Sequence, residues 1–186
     1  NRRKAGLKEA NSIWLWGQGK RPSLPSFKEK YGLKGGLISA VDLMKGIGIY
    51  AGFDIIKVPG ATGYFDTNYE GKAGAAIKAL KSLDFVYIHV ASPDEASHNG
   101  DIKAKIKAIE DFDGKVVGTL LKGIEGFKRF RILLLPDHAT PIELKTHSRE
   151  PVPFVIYPDS GKRKNVVSFF DEGITVKKGL VFKEGY

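Results

Sequence analysis

Two aspartates and three histidines in this chain are spaced as divalent-metal ligands would be. In Pro93-Asp94-Glu95-Ala96-Ser97-His98, a proline at the first helical position puts Asp94 and His98 at i and i+4, on one helical face, where a carboxylate and an imidazole can chelate one cation. Asp137 and His138 are adjacent after an apolar run, and His147 follows nine residues later on a loop that leads into another. Alone, an Asp-x-x-x-His pair is an ordinary helix-surface interaction, and an Asp-His at a strand end is an ordinary cap. All four histidines nevertheless fall between positions 89 and 147, and the clustering with aspartates points to metal. Oxygen and nitrogen donors without thiolate suit Mn²⁺ first, with Zn²⁺, Mg²⁺ and Co²⁺ also fitting. Five ligands exceed what one catalytic ion with open positions takes, so two divalent ions are expected, the arrangement used for phosphoryl transfer.

Short apolar runs rich in β-branched and aromatic residues must position these ligands. They occupy 13–16, 36–40, 54–58, 85–90, 131–135 and 152–157, each bounded by Gly, Pro or Asp, and read as buried strands. Helical patterns lie between them at 24–31, 41–51 and 69–83, with a long one from about 101 to 127. That last one carries an apolar row through Ile102, Ile106, Ile109, Phe112, Val116, Val117, Leu120, Leu121 and Ile124. The alternation predicts an α/β fold, a largely parallel sheet flanked by helices. Ligands then sit beyond the carboxyl ends of the strands, where Asp94, His98, Asp137 and His138 fall. The first residues read as helix, and 166–169 and 175–176 as short strand-like pieces. His89, inside a predicted strand, reads as a packed residue, and Trp14 and Trp16 as core and cover.

Composition narrows the function classes. The 186 residues contain no cysteine, which excludes disulfide scaffolds, thiolate-ligated metal and cysteine nucleophiles. No apolar stretch is long enough to span a membrane and no signal peptide opens the chain, so a cytoplasmic protein is expected. The net charge of +9 suits an anionic partner. Lysines supply 23 of the 30 basic residues, spread along helical faces without interleaved aromatics, so nucleic acid is not an expected partner. One Gln and one Met beside abundant Lys and Glu lean toward a thermophile.

Asp94-x-x-x-His98, Asp137-His138 and His147-x-x-x-Pro151-Val152-Pro153-Phe154 resemble, in order, the metal-binding signatures of the alkaline phosphatase superfamily. Further blocks are Trp14-Leu15-Trp16-Gly17-Gln18-Gly19-Lys20-Arg21-Pro22, Ser39 to Gly48, Pro59 to Tyr69 and Pro93 to Asp101. With them, the stretch from about 11 to 158 resembles the archaeal-type cofactor-independent (2,3-bisphosphoglycerate-independent) phosphoglycerate mutases. The resemblance implies an alkaline-phosphatase-like metalloenzyme domain of which residues 1–186 are the C-terminal part. It groups Asp94, His98 and His147 at one metal and Asp137 and His138 at the other. An aspartate and the serine nucleophile that complete the family's second site are expected upstream of Asn1, with the capping domain. Ser12, Ser39 and Ser97 do not stand in the nucleophile's context.

The implied reaction interconverts 3-phosphoglycerate and 2-phosphoglycerate through a phosphoserine, without a bisphosphate cofactor, in glycolysis and gluconeogenesis. Phosphoglycerate is then the small-molecule partner, and this chain alone is expected to be inactive. Lys45 and Arg21, the cations in family-like blocks, are candidates for binding its phosphate or carboxylate. The competing readings are a metal-dependent phosphatase or phosphonate hydrolase of the same superfamily, and a non-catalytic metal-binding remnant.

Overall fold

The computed structural model describes residues 1–15, 17–157, 170–176 and 181–182. After an exposed 3₁₀ turn at Arg3–Ala5, the described residues up to helix α1 (Phe27–Tyr31) have no regular structure. Strand β1 (Gly35–Ile38), helix α2 (Asp42–Tyr50) and strand β2 (Asp54–Ile55) follow, then helix α3 (Tyr69–Ala79) and strand β3 (Phe85–Ile88). Helix α4 (Ser92–Asn99) leads into helix α5 (Ile102–Asp111), a π-helical stretch at Phe112–Val117 and helix α6 (Gly118–Gly123). Strands β4 (Ile132–Leu134) and β5 (Val155–Tyr157) come next, and a 3₁₀ turn spans Glu172–Val176.

The three first strands form a parallel sheet in the order β2-β1-β3, with Gly36 opposite Asp54 and Gly35 through Ile38 opposite Phe85 through Ile88. The central strand is buried along its whole length, as a parallel strand covered on both faces should be. Each crossover carries a helix, α2 between β1 and β2 and α3 between β2 and β3, the only economical way to return a chain to a parallel register. The buried cluster is Tyr69, Ala73 and Val116, with Ile88, Val90, Phe112 and Leu120 packed against it, so α3 joins the sheet to the π-helical stretch. At the amino edge Phe27, Phe53 and Phe85 stack, with Phe27 5.0 Å from each of the other two rings. A capping box between Ser26 and Glu29 starts α1, which explains why that helix begins after Pro25 and not at 24.

Several sequence expectations need correction. In the run 13–16, residues 13–15 are not a buried strand: Ile13 and Trp14 are 88% and 87% exposed and no ladder includes them, while Trp16 lies outside the described residues. Apolar content alone cannot make a strand without a neighbouring backbone to pair with. Strands β4 and β5 pair antiparallel in a separate ribbon, Ile132 opposite Tyr157 and Leu134 opposite Val155, because the segment between them returns through turns and contributes no crossover helix. The long helix is interrupted, with Ile102, Ile106 and Ile109 exposed while Val116 and Ile124 are buried. The opening residues form only one 3₁₀ turn, and 175–176 belong to another instead of a strand; 166–169 lie outside the described residues.

Candidate metal centre

The site grows from the carboxyl edge of β3. Past Ile88 the chain passes His89 and Val90 and enters α4, whose first turn holds Pro93 and whose C-terminus is capped by Gly100 at φ 70°. Gly100 takes the left-handed conformation that favours glycine, and the end of the Lys145 side chain lies close beside it. One turn of helix separates Asp94 from His98, and His98 Nε2 lies 3.4 Å from Asp94 Oδ2. The second half of the site comes from the loop after β4. Ala139 and Ser148 form an isolated antiparallel bridge that closes this loop, carrying Asp137 and His138 on one side and His147 on the other.

His147 Nε2 lies 3.1 Å from His98 Nε2 and 3.5 Å from Asp94 Oδ1. Donor atoms of Asp94, His98 and His147 all fall within 4.8 Å of one another, so α4 and the loop aim one carboxylate and two imidazoles at a common point. The imidazole of His98 is oriented from behind: Nδ1 is 2.9 Å from the backbone carbonyl of Lys145. A carbonyl can only accept, so in the neutral ring Nδ1 carries the proton and Nε2 offers its lone pair, as a metal-bound histidine requires. Lys145 supplies that carbonyl from a left-handed conformation, φ 53°, rare for a side-chain-bearing residue, at the end of a turn in which Leu144 and Lys145 both donate to the Pro141 carbonyl. Two nitrogen lone-pair positions facing each other beside a carboxylate fit a divalent cation.

Asp137 and His138 adjoin this trio without entering it. The His138 ring lies 3.7 Å from that of His147 between centroids, and its Nε2 is 3.5 Å from Asp137 Oδ2. His138 Nδ1 is 3.1 Å from the Thr140 hydroxyl, which donates to Asp94 Oδ1 at 2.6 Å.

Beneath the ligands is a layer of buried polar groups. His89 Nδ1 is 3.2 Å from Ser39 Oγ, tying the end of β3 to the end of β1. Burial pushes the His89 imidazole below the ordinary histidine range, helped by the charges of Lys72 and His138 and opposed by Asp137 and Asp94. Lys72, 1% exposed, donates to the His89 carbonyl at 3.2 Å and the Thr62 carbonyl at 3.5 Å. Burial lowers its affinity for a proton as well. Burial, with Asp137 adding to it, raises the Tyr87 phenol. Sequence reasoning placed His89 as a packed residue but missed Lys72, Thr140 and the Lys145 carbonyl. A lysine on a helix gives no sign of burial, and a backbone carbonyl has no sequence signature.

The two candidate anion-binding cations are placed differently. Lys45 lines a cavity of about 240 Å³ at the carboxyl ends of β1 and β2, with Ser39, Lys57 and Ala61, and its ammonium pairs with Asp42 at 2.9 Å. Arg21 lies 5.5 Å from the Tyr50 ring at the far end of α2, so the structure does not bring it to the ligands.

A parallel α/β sheet with a mixed carboxylate-imidazole cluster at its carboxyl edge defines a metalloenzyme. Residues 2–179 match the Metalloenzyme superfamily, and the chain belongs to it. It is 55% identical over 181 residues to a probable 2,3-bisphosphoglycerate-independent phosphoglycerate mutase of Geobacter sulfurreducens, covering 97% of this chain and 45% of that one. The 2,3-bisphosphoglycerate-independent phosphoglycerate mutase of Methanosarcina acetivorans is 58% identical over 175 residues, covering 94% and 44%. Among solved structures, the cofactor-independent phosphoglycerate mutase of Thermoplasma acidophilum superposes with a TM-score of 0.63 at 28% identity, over 86% of this chain and 36% of that chain. The chain thus spans less than half the length of the curated relatives it matches. No helix among the described residues is long and apolar enough to cross a membrane.

Proposed function

We propose that this chain is the metal-bearing, C-terminal part of a cofactor-independent phosphoglycerate mutase, which interconverts 3-phosphoglycerate and 2-phosphoglycerate with two divalent ions. The observation that carries the reading is the convergence of Asp94, His98 and His147 at the carboxyl edge, in a sequence more than half identical to proteins of that name. Asp94, His98 and His147 hold one ion, and Asp137 and His138 contribute to the other, with Mn²⁺ the first choice for this donor set. Bound there, the ions would supply positive charge to a transferring phosphoryl group and lower the pKa of the group that attacks it. The chain's own work is to fix the ligands: the Lys145 carbonyl holds His98, and the bridge between Ala139 and Ser148 holds His147 across from α4. Lys45 stands at the carboxyl edge with its ammonium available to an anion in exchange for Asp42.

Neither Ser39 nor Ser97 is placed as a nucleophile. Ser39 accepts from the Val41 amide and contacts His89, and Ser97 is buried and donates to the Pro93 carbonyl. The serine that takes the phosphoryl group is assigned to sequence outside these 186 residues, and these residues alone are expected to be inactive. The compartment expected for a phosphorylated three-carbon acid is the cytoplasm.

The test is conversion of 3- to 2-phosphoglycerate by the complete protein with Mn²⁺ and without bisphosphoglycerate, with phosphate release followed in parallel. Interconversion that a chelator abolishes and Mn²⁺ restores is the expected result. In the same assay His98→Ala should lose nearly all activity while keeping its circular dichroism; an active His98→Ala would reject the ligand assignment. Phosphate release without interconversion would make the protein a phosphatase.

A further inference from the structure

Thr140 is a residue to which neither metal group lays claim, yet its side chain touches both. It is only 7% exposed, on the loop after β4, two residues beyond His138. Its hydroxyl lies 2.6 Å from Asp94 Oδ1 and 3.1 Å from His138 Nδ1. A hydroxyl has a single proton, and a carboxylate can only accept, so that proton is committed to Asp94. The oxygen facing His138 can then only accept. The proton on the neutral His138 ring must therefore sit on Nδ1, which leaves Nε2 with its lone pair. The two bonds form one directed chain, His138 Nδ1–H to Thr140 Oγ1 and Thr140 O–H to Asp94 Oδ1. Lys105 anchors the chain from behind by donating to the Thr140 carbonyl at 2.9 Å, and the bridge from Ala139 to Ser148 fixes the adjoining residue.

We propose that Thr140 is the positioning residue that joins the two metal groups. Its hydroxyl sets the His138 tautomer for ligation through Nε2 and holds Asp94 so that Oδ2 faces the imidazole of His98. The inference rests on the metal-binding reading given above and extends it to a side chain that binds no metal. Outer-shell partners of this kind affect metal affinity by about 10- to 100-fold. Because one hydroxyl serves both groups, its loss weakens both ions together.

The experiment compares wild type, Thr140→Val, which keeps shape and removes the hydroxyl, and Thr140→Ser, which keeps the hydroxyl and removes the methyl. In the complete protein freed of metal, ¹⁵N–¹H imidazole correlations report which nitrogen of His138 carries the proton. Mn²⁺ titration then reports affinity and stoichiometry. Nδ1 protonation in wild type and Thr140→Ser, with a shift toward Nε2 protonation in Thr140→Val, is expected. Mn²⁺ affinity should fall about 10- to 100-fold in Thr140→Val and stay close to wild type in Thr140→Ser. Should Thr140→Val fold poorly, Thr140→Ala removes the same hydroxyl without altering the comparison. Unchanged tautomer and affinity in the hydroxyl-free variants overturn the proposal, as does a Thr140→Ser variant that fails like Thr140→Val, since packing of the methyl would then be what matters. A wild-type protein with no affinity for divalent ions overturns both this proposal and the functional reading. One that binds them without interconverting phosphoglycerates removes the functional reading alone.

Discussion

At the scale of single residues, the candidate metal centre depends on which nitrogen of an imidazole holds the proton; the Lys145 carbonyl fixes this for His98, as we infer that Thr140 does for His138. The convergence of Asp94 and His98 was legible in the sequence because residues at i and i+4 lie on one face of a helix. Their supports were not, since the Lys145 carbonyl depends on a left-handed backbone and Thr140 on a loop closure. His89 gives a test at this scale. Burial disfavours the charged ring in the native state, so it takes up its proton at lower pH than an unfolded chain, which does so below about pH 6.5. The unfolded state then binds more protons, so stability is full above that value and is lost as pH falls below it. The thermal midpoint of wild type should drop between about pH 7.5 and pH 5.5 more steeply than that of His89→Asn, which cannot titrate. Parallel slopes for the two proteins would show that burial does not disfavour the charged His89 ring.

At the scale of elements, the parallel strands and their crossover helices follow from apolar runs alternating with helical patterns; β2 and β3 lie within the predicted segments and β1 begins one residue before its own. Where a run has nothing to pair with, as at 13–15, the same composition gives an exposed segment without regular structure. Helix α2 shows how closely an element can be set. A Cβ at Gly48 would come 2.6 Å from Leu37 Cδ2 and 3.1 Å from Ile55 Cδ1, both on strands beneath the helix, whereas one at Gly46 would meet nothing within 4 Å. Gly48→Ala should therefore destabilise the protein by about 1–2 kcal/mol, overpacking outweighing the gain in helix propensity. Gly46→Ala in the same helix should stabilise it by roughly 0.5–1 kcal/mol. Chemical denaturation of both variants measures the difference, and a stabilising Gly48→Ala would mean that α2 is free to move off the sheet.

At the scale of the whole molecule, the centre is where two separately built pieces meet. The three-stranded sheet delivers α4, and the β4–β5 ribbon delivers the loop. Thr140 to Asp94, Lys105 to Thr140 and His98 to the Lys145 carbonyl join them. This meeting could not be read from the sequence, because the ribbon's antiparallel pairing breaks the alternation that predicted one sheet. A cation bound across the seam should hold the pieces together. Mn²⁺ at about 100 times its Kd should add about 2.7 kcal/mol of stability, seen as a raised thermal midpoint that His98→Ala abolishes. An equal rise in His98→Ala would place the ion elsewhere.

The π-helical stretch at Phe112–Val117 interrupts a helical pattern that otherwise runs from Ile102 to Gly123. Such a turn holds one residue more than the α-helix it interrupts, and one residue is about 100° of rotation. The covered row continues through the stretch, with Ala108 buried before it, Val116 within it and Ile124 after it. Ile102, Ile106 and Ile109 face outward before it, and Val116, inside it, is buried against Tyr69 and Ala73. The stretch is in effect a one-residue insertion on which the core depends. Losing any single residue there would restore an unbroken α-helical ladder and swing α6 out of phase with α3. This part of the chain is constrained in length more than in composition, and an alignment gap within it would mark a relative whose helices pack differently.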